Sequence, residues 1–195
     1  MFVNPKELKK LMKEAHRINH LIIGCRDDLY YIQGFYWKVL CKKKFVPKTI
    51  LAEIIELAGE IPGEGECFCS GKEGNQMQFN TMEVEIPEEA EEIEVTDYLL
   101  QSKQGVMQRL LQFPGKRNVY LINDRIVQMT KGKHYDEDQG ETPPEGPYCS
   151  VEHGVFWEND VMKFSVCFRV DDEHFETLQQ MKMIRLWNVN QEPER

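Results

Sequence analysis

The chain has 195 residues, 41% of them hydrophobic and 29% charged, with 24 Lys and Arg against 33 Asp and Glu for a formal net charge of −9. A domain of this size removes roughly two-thirds of its unfolded surface from water, so it needs neither disulfides nor a structural metal simply to fold. No apolar run reaches the ~18 residues of a membrane span, and the lysine-rich opening stretch has no apolar signal-peptide core behind it, so a cytoplasmic protein with no membrane partner is expected.

Leu8, Leu11, Met12, Ala15 and Ile18 repeat at helical spacing, and Lys6, Lys9, Lys10, Lys13 and Arg17 keep the same period on the other side. This predicts an amphipathic helix with one buried face and one cationic stripe. Asn4, Pro5 and Glu7 supply its N-cap, its first-turn proline and a carboxylate in the first turn. Leu21 to Cys25 and Leu29 to Gln33 then read as a hairpin around Asp27 and Asp28, with a further strand from Tyr36 to Cys41. Pro47 opens a second helix with an apolar stripe of Ile50, Leu51, Ile54, Ile55 and Ala58, which Gly59 and Pro62 close. A turn-rich stretch from Gly63 to Gly74 surrounds a short strand at Cys67 to Cys69, and Gln76 to Ile86 reads as extended.

The segment from Glu83 to Glu94 carries seven glutamates among Val84, Ile86 and Ile93, a candidate connector or an edge strand blunted by charge. From Thr96 the order is expected to restart. A helix spans Asp97 to Gln112, weakened by Gly105, and a hairpin pairs Val119–Ile122 with Arg125–Met129 around Asn123 and Asp124. Residues 131–148 read as a surface loop, followed by strands at Gly154–Trp157 and Met162–Val170, a short helix capped by Asp171, a strand at Met183–Val189 and a frayed tail. The expected fold is α+β: an antiparallel sheet with helices on one face, in two passes of helix, hairpin, strand, helix and strand. One domain covers 1–195, with pseudo-repeat halves 1–82 and 96–190 joined by the acidic segment 83–95.

Charge is unevenly spread along this order. Residues 1–48 hold eleven Lys and Arg against four Asp and Glu, while the rest of the chain holds thirteen against 29. A local basic face can attract a polyanion even on an acidic protein. The candidate nucleic-acid-binding residues are therefore Lys6, Lys9, Lys10, Lys13 and Arg17 with Lys42, Lys43 and Lys44. Tyr30, Tyr31, Phe35, Tyr36 and Trp37 lie close by in sequence, and three or more of them exposed would favour stacking of unpaired bases over duplex contact.

The lysine-striped helix and the repeated order of elements resemble the DNA sliding clamps, the ring-forming processivity factors of DNA polymerases. The resemblance implies helices that line a central channel and contact duplex phosphates through basic side chains, with sheets forming the outside and the contacts between subunits. Lys6, Lys9, Lys10, Lys13 and Arg17 match that role. The second pass departs from it, because Gln101, Gln104, Gln108 and Gln112 stand where basic residues would serve, and a closed ring of so short a chain requires several copies.

Of six cysteines, Cys25, Cys41 and Cys167 lie in strand-like apolar surroundings and read as reduced structural thiols. Cys67 and Cys69 share a face if extended. With Cys149 and His153 they form the one conceivable zinc set, although the spacing is not that of paired knuckles. His16, His20, His134 and His174 read as surface or capping residues, and the acidic residues beside His134 as a solvated loop. No phosphate-loop, zinc-hydrolase or serine-hydrolase pattern occurs, and no cofactor is expected. The reading is a non-enzymatic binding or assembly protein whose partner is nucleic acid, another protein or a copy of itself. The alternative is a small enzyme or metal-dependent protein using the Cys/His set.

Overall fold

The computed structural model describes residues 1–77, 90–114, 119–132, 134–150 and 154–167. The chain is α+β, and its described residues form one nine-stranded and one three-stranded sheet, both antiparallel. The first half follows the sequence closely. Helix α1 (Pro5–Arg17) begins at Asn4, whose side chain accepts from the Lys6 amide, with Pro5 in its first turn. Strands β1 (Leu21–Arg26), β2 (Leu29–Gln33) and β3 (Trp37–Lys42) form a meander. The β1–β2 turn places Asp27 and Asp28 at φ +52° and +64°, a left-handed pair suited to a two-residue hairpin loop. Helix α2 (Lys48–Ala58) ends on Gly59 at φ +80°, where a glycine closes the helix without a Cβ penalty. Strands β4 (Cys67–Gly71) and β5 (Gly74–Met77) add a hairpin beside β1.

The second half departs from expectation. Residues 97–112 are not a helix: β7 (Glu94–Gln101) and β8 (Met107–Gln112) pair antiparallel around a turn in which Gly105 sits at φ +79°. The neighbouring leucines read as helical because the sheet is apolar on both faces, with Leu111 in the main core and Leu110 in a second cluster with Val119 and Leu121. Arg125–Met129 is not a strand either. After β9 (Val119–Asn123), Asn123 accepts from the Arg125 amide and caps helix α3 (Asp124–Thr130), which buries Ile126, Val127 and Met129. The expected repeat of element order is therefore absent among the described residues.

The described end of the acidic segment forms β6 (Glu91–Glu92), at the edge of the large sheet, as one of its two readings had it. The loop after α3 is shorter than expected, since β10 (Glu145–Ser150) begins inside it. Strands β11 (Gly154–Glu158) and β12 (Met162–Val166) complete the sheet in the order β5-β4-β1-β2-β3-β12-β11-β10-β6. The expectations for residues 78–89, 151–153 and 168–195, including His153, His174, the helix after Asp171 and the last strand, lie outside the described residues.

Register assigns the faces of the large sheet. Phe68, Ile23, Ile32, Val39, Phe164 and Trp157 face one way through successive pairs, and all join the core with Leu8, Leu11 and Met12 of α1 and Ile50 and Ile54 of α2. Each fully buried side chain of that size contributes about 1.5–3 kcal/mol. Helices α1 and α2 lie against each other and against β4. Helix α3 packs on β8 and β9 and meets the start of α1 through a 3.0 Å hydrogen bond from the Asn4 amide to the Met129 carbonyl. The polar side of α1 thus has α2 on one flank and α3 on the other.

Candidate nucleic-acid interface

At 100° per residue, Lys6, Lys10, Lys13 and Arg17 fall within an arc of about 60°, opposite the buried stripe of α1. All four are exposed. Lys9 lies at the flank toward α2, and Glu7 and Glu14 at the flank toward α3.

These flanks bring carboxylates and cations together. The Lys9 Nζ lies 3.1 Å and the Lys13 Nζ 3.2 Å from the carboxylate of Glu53, which α2 presents with no exposed side-chain surface. Neither Glu53 oxygen has a well-directed hydrogen bond, and the charge that offsets it comes from the two lysines. Lys13 also lies 3.6 Å from Glu56, and the Glu53 carboxylate beside it, with Glu56, holds its ammonium above its ordinary pKa. On the other flank, Arg125 of α3 donates to Glu7 at 2.9 Å and to Glu14 at 2.8 Å, and Lys10 donates to Glu7 at 2.6 Å. The hydrogen bond from Lys10, reinforced by Arg125, holds the Glu7 carboxyl below its ordinary value against the cost of desolvation.

Three of the five stripe cations are therefore paired internally, while Lys6 and Arg17 have no ion pair among the described residues. Pairing does not bury the outward lysines: the side chains of Lys10 and Lys13 remain 63% and 52% exposed. The three-lysine run is less available than its sequence suggests. Lys43 donates to Glu64 at 2.6 Å, which raises its pKa and lowers that of the carboxylate, Lys44 sits 4.5 Å over the ring of Phe45, and Lys42 is exposed.

The neighbouring aromatics do not form a stacking platform. Tyr31 and Trp37 are buried, Tyr30 and Tyr36 are half-buried, and only Phe35 of the five is well exposed, with its ring 5.6 Å from that of His20. The condition for favouring unpaired bases is not met. No protein-family profile matches the chain, and neither a curated protein nor a solved structure matches it.

The cysteine set is scattered. Cys67 and Cys69 do share a face, the one opposite Phe68, whereas Cys149 pairs with Val155 on the Phe68 face. Six strand-to-strand steps separate β4 from β10, about 29 Å measured along the sheet. Burial pushes the Cys149 thiol to about 11 and the Cys41 thiol to about 12, which keeps both protonated near neutral pH. Among the described residues no group of three His, Cys, Asp or Glu is placed to hold a metal ion. Asp136 beside His134 is committed to its own backbone, accepting from the amides of Asp138 and Gln139. His20 lies beyond the end of α1 and so does not share a helical face with His16.

Two residues of this surface, Glu53 and Arg125, escaped the sequence reading. Glu53 carried a usable signal: it lies three residues after Ile50 on the buried side of α2, where a carboxylate requires cations from a neighbouring element. Arg125 carried none, because its role depends on Asn123 starting a helix rather than turning a hairpin.

Proposed function

We propose that this protein is a non-enzymatic binding protein that engages duplex nucleic acid through the outward face of α1. The supporting observation is the alignment of Lys6, Lys10, Lys13 and Arg17 on one solvent-facing arc, about 16 Å long at 1.5 Å per residue. Glu7, Glu14, Glu53 and Glu56 offset much of the charge around it, so the interaction is weak and strongly dependent on salt. Each phosphate neutralised contributes about −0.9 to the slope of log affinity against log salt. Two to four contacts therefore give a slope of about −2 to −4. Of the five neighbouring aromatics only Phe35 is well exposed, which favours a duplex over single strands. The described part of the second half supplies only a seven-residue helix, so α1 is assigned this role by itself rather than as one of a pair.

The test is the affinity of the full chain for a fluorescently labelled duplex across a salt series, with the double variant Lys6→Glu/Arg17→Glu as comparison. Both positions are exposed, so the variant retains the fold. The expected result is low-salt binding that the variant loses. Undetectable binding at low salt, or equal binding by the variant, overturns the proposal.

A further inference from the structure

The most exposed large apolar residue among the described ones stands at one end of the α1 stripe. Phe35, 68% accessible, lies in the tight turn between β2 and β3, which the Gly34 amide closes on the Trp37 carbonyl at 3.0 Å. Trp37 is buried and packs against this turn so closely that a Cβ at Gly34 would lie 2.4 Å from the indole nitrogen. An ordered turn therefore holds the Phe35 ring out in water, and little conformational freedom is left to lose when a ligand covers it.

Two observations bring that turn to the C-terminal end of α1. Strand β1 starts one residue after His20, and Ile22 is registered with Gln33, so the connection from α1 to β1 runs beside the β2–β3 turn and the His20 and Phe35 rings meet at 5.6 Å. Burial, and then the Glu14 carboxylate, push up the phenol of Tyr36, the next residue of the turn, which places the turn beside the flank of α1 that carries Glu14. Arg17 stands three residues before His20, at most about 11 Å along the chain. It is exposed and has no ion pair among the described residues.

An exposed flat ring accepts the face of a base, and an uncompensated guanidinium beside it accepts a phosphate. One ring takes one base. A run of unpaired bases needs several such rings, and Tyr30, Tyr31, Tyr36 and Trp37 are too buried to supply them. The last base pair of a duplex needs only one, since it is stacked on its neighbour by the other face. We propose that the β2–β3 turn is a duplex-end site, in which Phe35 stacks on the terminal base pair while Arg17 meets a phosphate near that end and the rest of the stripe follows the backbone inward. This deepens the role given to α1 and rests on it.

A fluorescently labelled blunt duplex of ~12 base pairs, about 40 Å long, with 5-iodouracil at either the terminal or a central position, tests the proposal with the full chain at low salt. Anisotropy reads binding, and light-induced cross-linking with peptide mapping reads which side chain touches the base. The expected result is a cross-link from the terminal base, mapped to Phe35 or the adjoining His20, about fivefold or more above that from the central base, the lower end of what one stacked base contributes. In Phe35→Ala, which alters an exposed side chain and so retains the fold, the terminal yield falls to the central level. Binding with equal yields from the two positions, a terminal cross-link mapped elsewhere, or one unchanged in Phe35→Ala overturns this proposal and leaves the role of α1 standing. Absence of binding to either duplex overturns both.

Discussion

The Lys9–Glu53–Lys13 cluster allows two opposite perturbations whose costs differ for a stated reason. Replacing Glu53 by Gln removes the buried charge and leaves Lys9 and Lys13 with side chains 36% and 52% exposed, able to turn into water. The lost attraction is partly offset by relief from burying a carboxylate, so Glu53→Gln costs about 1 kcal/mol. The double variant Lys9→Met/Lys13→Met does the reverse. It strands the Glu53 carboxylate with no exposed surface and no well-directed hydrogen bond, and an uncompensated buried charge costs about 3–5 kcal/mol. Urea unfolding of the three proteins at neutral pH measures both differences. Equal losses, or a larger loss for Glu53→Gln, would show that the lysines do not hold that carboxylate. The same variant reports on binding: with two ammonium groups released beside the stripe, the salt slope for duplex steepens by about one to two.

Two further expectations follow from particular environments. Lys163 has a side chain 12% exposed, with its Nζ 3.9 Å from the Phe156 ring centroid, 3.7 Å from a Glu158 oxygen and without a hydrogen bond, and burial lowers its pKa. Lys163→Met is expected to stabilise the fold by about 1 kcal/mol at neutral pH, since an apolar chain of similar length escapes the desolvation cost. Between the folded pKa and the ordinary lysine value near 10.5 the unfolded chain binds more protons, so wild-type stability from this residue rises with pH and the advantage of the variant shrinks; thermal unfolding at pH 7 and pH 10 measures this, and a constant difference would refute the cause. Gly154 sits at φ +73°, and a Cβ there would lie 2.2 Å from the Val166 carbonyl oxygen. Gly154→Ala therefore costs more than about 2 kcal/mol, and unfolding unchanged from wild type would contradict the packing of β11 on β12.

The two helices and the β1–β3 meander of the first 77 residues were legible because each of these elements places apolar side chains in the core. The α1 stripe, the Asp27–Asp28 turn and the Gly59 cap are local signals, and tertiary packing agrees with all three. Residues 97–112 were not: in β8, buried on both sides, Leu110 and Leu111 stand next to one another, and the alternation that marks a half-buried strand is lost. Asn123–Asp124 was ambiguous in a different way: the same side chains turn a hairpin or cap a helix, and the burial of Ile126 and Met129 decides for the helix. The stripe itself was legible as a helical period, whereas its pairing was not. Glu53 is far from Lys9 in sequence and Arg125 further still from Glu7, and no local pattern reports such a meeting.

That pairing changes what the uneven charge of the chain implies. The basic excess of residues 1–48 suggests a field spread along the whole helix, but carboxylates from the acidic remainder, Glu53, Glu56 and Glu64, are inserted beside Lys9, Lys13 and Lys43. Lys10 is paired within α1 to Glu7, and the α1 cations left without any carboxylate partner among the described residues are Lys6 and Arg17, eleven residues apart and near opposite ends of the helix. A ligand drawn to this face meets two uncompensated charges about 16 Å apart, with two half-neutralised ones between them. Such a surface rewards an extended polyanion over a compact anion, because only the former reaches both ends. Exchanging the two terminal cations for glutamates therefore removes most of the attraction, and exchanging Lys10, already bound to Glu7, removes much less.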